Sequence, residues 1–248
     1  MILIWSFAIG LMIATCVLMY PEMQSQMKSV NEMFSSMGSF TQAFGMDRLD
    51  FGTLVGYYSV ECGNVLGIGG AFFAAIIAIG ALLKEERDHT AEYLFAHPVS
   101  RRRVISEKLL SVVAIVLLLN VIVVLLSITS ILLIGKSIFW KELLLIHLSF
   151  LLMQLEIAGI CFGISAFLTR GGLGVSIGIA GLMYLLNIIS NITTSAKFLK
   201  YITAFGFTDG ADIIANGRLE MKYLIPGMVF MLAGITAAYI KYEKKDLR

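Results

Sequence analysis

Charge is what this chain most lacks. Charged side chains make up 15% of its 248 residues, against the roughly 25% of an ordinary soluble domain, so a water-facing surface of normal composition cannot be assembled from it. Its formal net charge of +2 is too slight to draw a nucleic acid, and only the distribution of that charge among loops is informative. Cys16, Cys62 and Cys161 lie in or beside apolar runs, without the CxxC or Cys/His spacing of a zinc site or a disulfide framework. The first 20 residues lack the basic n-region and small-residue cleavage site of a removable signal peptide, and read as a membrane span.

Catalytic patterns are missing as well. Gly135-Lys136-Ser137 resembles the end of a phosphate-binding loop, but the glycine required five positions earlier is Ser130 and the residues between are Ile131-Leu132-Leu133-Ile134, so no nucleotide site is expected in this chain. A metalloprotease helix needs glutamate next to its first histidine, whereas His89 is followed by Thr90-Ala91-Glu92 and His97 lies eight positions on. Glu85-Glu86 opens like a di-glutamate membrane-protease motif that the following residues do not continue, and no serine sits in a nucleophile elbow.

What the chain has is apolar sequence, 58% of its residues, gathered into six runs at about 1–20, 60–83, 109–134, 143–168, 173–193 and 223–240. Each is long enough to cross a hydrocarbon core of about 30 Å as a helix, and helices are required because a lipid-exposed backbone must satisfy its own hydrogen bonds. The expected fold is therefore an all-α integral membrane protein, residues 1–248 forming one domain of six transmembrane helices. No soluble domain is left over. Eleven of the 19 basic residues fall on the segments 84–108, 170 and 241–248; the bias of Lys and Arg toward one side places these segments, and both termini, in the cytoplasm.

Outside the spans, Met23, Met27, Val30, Phe34 and Met37 follow Pro21 at helical spacing, which predicts an amphipathic helix on the outer face with Pro21 at its start. The apolar segment 194–222 should lie on or dip into the outer interface, with Thr208 capping a short helix that Asn216-Gly217 ends. The stretch 84–108 is the densest in polar residues, yet it carries Leu94, Phe95 and Val99 among its charges. An apolar anchor inside a charged rim suits docking against another protein. Pro98 and Ser100 read as a helix break followed by an N-cap for the third span.

Here the residues resemble a known family. Lys84-Glu85-Glu86, Thr90, Glu92, Leu94, then Pro98-Val99-Ser100-Arg101, following a Gly-rich second span, are similar to the segment before the third span in permease subunits of type-2 ATP-binding-cassette (ABC) transporters. The resemblance extends over nearly the whole chain. It implies that 84–108 holds a cytoplasmic coupling helix contacting a separate ATPase subunit through Glu85, Glu86, Arg87, Thr90, Glu92, Leu94, Phe95 and Pro98. ATP and magnesium would then reside on that partner, and no cofactor on this chain. It further implies pairing with a second permease subunit, a multi-pass place in the cell membrane, the bacterial plasma membrane by the family's habit, and export of a drug, antimicrobial peptide or other amphiphile. Such permeases usually carry a basic elbow helix before the first span, a second ATPase contact, whereas here the apolar run opens at Ile2-Leu3-Ile4-Trp5.

Arg101, Arg102 and Arg103 are expected to anchor the third span at the anionic inner surface. Polar residues inside spans are expensive and mark functional positions by default; Glu61, Asn64, Asn120, Glu156 and Asn187 are the candidates for a translocation path. For Glu156 the alternatives are a buried hydrogen bond to Asn64, Asn120, Gln154 or Asn187, a place on the path, or proton coupling. The pairs Gly63/Gly67, Gly159/Gly163 and Gly174/Gly178 permit close helix approach, within the subunit or at a dimer seam. Two other classes stand beside the permease: an accessory or immunity protein that only binds partners, and an intramembrane hydrolase.

Overall fold

The computed structural model describes residues 2–24, 26, 37–46, 48–87, 100–169 and 171–244, with the backbone alone for 85–87. Among these residues the regular structure is helical, with no strand. In chain order the elements are α1 (Ile2–Gln24), α2 (Ser39–Ala43), α3 (Leu54–Arg87), α4 (Arg101–Leu133), α5 (Trp140–Ser165), α6 (Gly172–Ile192), a 3-10 helix (Thr194–Tyr201), α7 (Gly210–Asn216) and α8 (Met221–Lys244). Six of them, α1, α3, α4, α5, α6 and α8, are long and apolar enough to cross a membrane, which is the six-helix, all-α architecture expected.

Helix content outruns hydropathy at several ends. α3 begins at Leu54 and continues through Lys84 to Arg87, and α4 begins at Arg101, so both ends of the 84–108 stretch continue the helices on either side of it. Ser100 caps α4, its side chain accepting from the Arg103 amide at 3.3 Å, which satisfies a donor that the first helical turn leaves orphaned. Residues 88–99, with Thr90, Glu92, Leu94, Phe95 and Pro98, lie outside the described residues. So do Met27, Val30 and Phe34 of the outer-face pattern.

The helices differ in how much of themselves they bury. The apolar windows of α3 and α5 are 61% buried, that of α6 only 11%, so α3 and α5 form the centre and α6 presents most of its surface outward. α5 packs on α3 and α8, α1 on α4 and α3, and α6 on α3. Small residues set the closest crossing: a Cβ on Gly163 of α5 would lie 2.5 Å from the Gly234 carbonyl oxygen of α8, and a Cβ on Gly234 would lie 2.8 Å from the Gly159 carbonyl oxygen. Two of the three glycine pairs are thus spent inside the subunit, since Gly67 rests against Phe150. Gly174 and Gly178 have nothing within 4 Å of an added Cβ.

Two local expectations need correction. Pro21 lies inside α1 and starts no new helix; near a helix end a proline forfeits one hydrogen bond, to the carbonyl four residues earlier, at little further cost to the turns beyond it. The cap of α7 is Asp209, whose carboxylate accepts from the Ala211 amide at 3.0 Å, while the Thr208 hydroxyl donates to the Phe205 carbonyl at 3.0 Å. Gly217 ends α7 as read from sequence, in the left-handed conformation at φ 58°, which costs glycine no Cβ clash.

Candidate functional site

The five polar candidates divide among separate environments. Asn64 of α3 and Asn187 of α6 meet across a cleft of about 520 Å³, counted with the part continuous with the exterior. The cleft lies at the end of the bundle away from residues 88–99, since α3 enters there and α6 leaves. Its walls are α2 with the turn after it, the first turns of α3, Phe150 of α5, the last turns of α6 and residues 205–210. Asn191, one turn beyond Asn187, joins them and donates to the Ala43 carbonyl at 3.4 Å. Residue numbers four apart on α6 place both carboxamides on one face.

Charge pairing holds this end together. Arg48 pairs with Asp209 and, at 2.6 Å, with Asp212; Lys200 reaches the same two carboxylates at 3.5 and 3.7 Å. Two cations therefore face two carboxylates, and the Asp209 and Lys200 side chains are only 8% and 11% exposed. The Thr203 hydroxyl donates to the Met183 carbonyl at 2.7 Å and Phe205 meets Tyr184 edge-on with ring centroids 5.5 Å apart, pinning the segment after α6 back onto α6.

Asn120 is not in the cleft. Its side-chain amide donates to Gln154 Oε1 at 2.7 Å and to the Val116 carbonyl at 2.9 Å, a buried link between α4 and α5. Gln154 in turn lies so near Gly70 of α3 that a Cβ there would collide with it.

Glu156 points the other way, toward α8. It is fully buried, and its carboxyl lies on Gly227, just past Pro226, where any Cβ would collide. Neither oxygen has a hydrogen-bond partner among the described residues. A bond to Asn64, Asn120, Gln154 or Asn187 is thereby corrected: Asn120 and Gln154 bond each other, and Asn64 and Asn187 line the cleft, whose wall does not include Glu156. Glu61, half-buried two turns into α3, has Cys16 of α1 as its neighbour.

Sequence reasoning missed a further pair. Tyr58 Oη and His147 Nε2 lie 2.6 Å apart, both side chains buried, linking α3 to α5. An ionisable residue inside the fourth span was the available signal, the same that singled out Glu156.

At the opposite end, Arg101 donates to the Tyr242 and Glu243 carbonyls, each at 3.4 Å, and Arg102 pairs with Glu243. Arg103 pairs with Glu107 on its own helix at 2.8 Å. Lys108 donates to the Ala81 carbonyl of α3. The start of α4 is thus fastened to the end of α3 and to the end of α8. Of Glu85, Glu86 and Arg87 the structure gives the last turn of α3 and no side-chain placement. Gly135-Lys136-Ser137 forms the turn after α4, with Gly135 at φ 69°, and among the described residues no group of three or more His, Cys, Asp or Glu could hold a metal ion.

Comparison with known proteins gives one family. The model of a family described as ABC-2 family transporter protein matches residues 1–244. No curated protein and no solved structure matches the chain.

Proposed function

This chain belongs to the ABC-2 family of transporter proteins, and from that premise we propose that it is the permease subunit of an ABC exporter, coupled through residues 84–100 to a separate ATPase and paired with a second permease subunit. Six helices capable of spanning a membrane make it a multi-pass membrane protein. The cytoplasmic side is then the end carrying residues 88–99 and the outer side the end carrying the cleft. ATP hydrolysis belongs to the partner.

The observation that carries the coupling is the fastening around Lys108, Arg101 and Arg102. The segment 88–99 joins α3 to α4, Lys108 ties the start of α4 to the end of α3, and Arg101 and Arg102 tie it to the end of α8. A displacement delivered to that segment therefore reaches three spans together. One of them, α3, runs to the cleft and contributes Asn64 to it. Transport then follows from two arrangements of the helices with different affinity for cargo, because a load with equal affinity for both shifts nothing.

Phe95→Asp tests this. The substitution places a charge in the apolar anchor of the proposed docking segment. Affinity purification of the full tagged chain from its membrane in mild detergent should recover a subunit with ATP-binding motifs, and Phe95→Asp should lose it while the chain inserts normally. Recovery undiminished by the substitution refutes the coupling assignment. A chain that purifies alone when intact favours a partner-binding accessory protein.

A further inference from the structure

We infer that the cleft between α3 and α6 binds an uncharged hydrogen-bonding group, a carboxamide or peptide amide, carried on an aromatic or apolar body. The assignment names the cargo chemistry of the proposed permease and rests on that reading for its physiological meaning.

The argument starts from what the cleft offers. The carboxamides of Asn64 and Asn187 line it, and neither has a protein hydrogen bond among the described residues. Ser59, also in the wall, is 4% exposed and its hydroxyl has no partner there either. Of the three, Ser59 is buried, and buried polar groups are normally satisfied; the carboxamides of Asn64 and Asn187 are half-buried, and each offers both a donor and an acceptor. The partner that would satisfy all three is one with donors and acceptors of its own.

Charge decides the class. Among the described residues Asp209 is the only charged one in the wall, and its carboxylate is already taken by Arg48, Lys200 and the Ala211 amide. Arg48 and Lys200 are themselves engaged by Asp209 and Asp212. An anion or a cation entering the cleft would shed water and meet no uncommitted counter-charge in its wall, which is unfavourable. A neutral amide loses less water and regains its bonds from the asparagines. The remaining wall is aromatic, with Phe150, Tyr184 and Phe205, which suits a ring or aliphatic body. Apolar walls with a few convergent polar groups are the usual composition of small-ligand sites.

Three probes with one body separate the possibilities: N-acetyl-L-phenylalaninamide, which is neutral, N-acetyl-L-phenylalanine, its anion, and L-phenylalaninamide, its cation. Binding to the full chain in lipid nanodiscs is read by saturation-transfer NMR. The neutral probe should bind at least about tenfold more tightly than either charged one. Asn64→Ala with Asn187→Ala should weaken it about tenfold, the loss expected for two modest hydrogen bonds, whereas Leu185→Ala on the outward face of α6 should leave it unchanged. Asn187→Asp supplies a second reading should the double variant fail to fold, because it should turn the preference toward the cationic probe. Equal binding of neutral and anionic probes, or binding indifferent to the asparagine variants, overturns the assignment. Because the chain is measured without its partner, that failure is distinct from failure to recover the ATPase.

Discussion

The α5–α8 crossing gives a prediction whose size follows from the coordinates. Gly163→Ala adds one methyl group that would sit 2.5 Å from the Gly234 carbonyl oxygen, 2.6 Å from its Cα and 2.7 Å from its carbonyl carbon. All three are backbone atoms, so no side chain can swing away. Restoring an ordinary contact of about 3.4 Å requires α5 and α8 to separate by about 1 Å, and forced expansion of a packed interior costs roughly 1–3 kcal/mol. Alanine also favours helix by up to about 1 kcal/mol over glycine, which obscures the loss in a single variant. Gly178→Ala has the same propensity gain and open space around it. The difference between the two cancels propensity and should leave about 1–3 kcal/mol, or roughly 2–4 °C in melting temperature per kcal/mol. Thermal unfolding of both variants in the same detergent, at concentrations that keep the chain monomeric, is the assay. A Gly163→Ala protein as stable as Gly178→Ala would refute the close crossing.

Other substitutions probe the remaining polar groups. Tyr58→Phe strands His147 Nε2 in the interior and should cost about 1–3 kcal/mol, and adding His147→Leu should recover part of the loss, the coupling being read from a double-mutant cycle in denaturation. Glu156→Gln should leave stability within about 0.5 kcal/mol or raise it, because the carboxyl has no partner to lose among the described residues and a buried charge is expensive; destabilisation beyond about 2 kcal/mol in the same assay would mean an ion pair is broken. Arg48→Ala should cost about 1–2 kcal/mol, modest because Arg48 is 46% exposed, and hydrogen exchange should speed first in residues 209–216 as Asp209 and Asp212 lose their bridge to the turn before α3.

The spans were legible because a membrane-crossing helix needs about 20 apolar residues in a row, a signal that composition carries by itself. Their ends were less so. Leu54 to Ser59 includes Gly56, Tyr57 and Tyr58, residues that hydropathy scores low although they continue α3, and Lys84 to Arg87 are helical while charged. Asn64 and Asn187 stood out as polar residues in apolar runs and do share a cleft, but the same rule gave Asn120 and Glu156 equal weight although they face elsewhere. Direction around a helix decides this, and α5 is apolar on nearly every side, so its periodicity shows no face. Glu156 rests on a glycine backbone, which no search for a polar partner would find. The Arg48 to Asp209 pair spans 161 residues of sequence and has no local pattern.

The position of Glu156 also bears on how the chain is made. Its carboxyl is covered by Gly227, and 227 − 156 = 71 residues separate the two. At about 5–20 residues per second, the fourth span waits roughly 4–14 s after synthesis before the sixth arrives to shield it. During that interval an acidic group in a hydrophobic segment must be sheltered by the insertion machinery or by water, so α5 cannot be released into lipid at once. The last helix is therefore the closing piece of the bundle, and a nascent chain that stalls before it carries an unshielded carboxyl that membrane proteases and chaperones could read as unfinished.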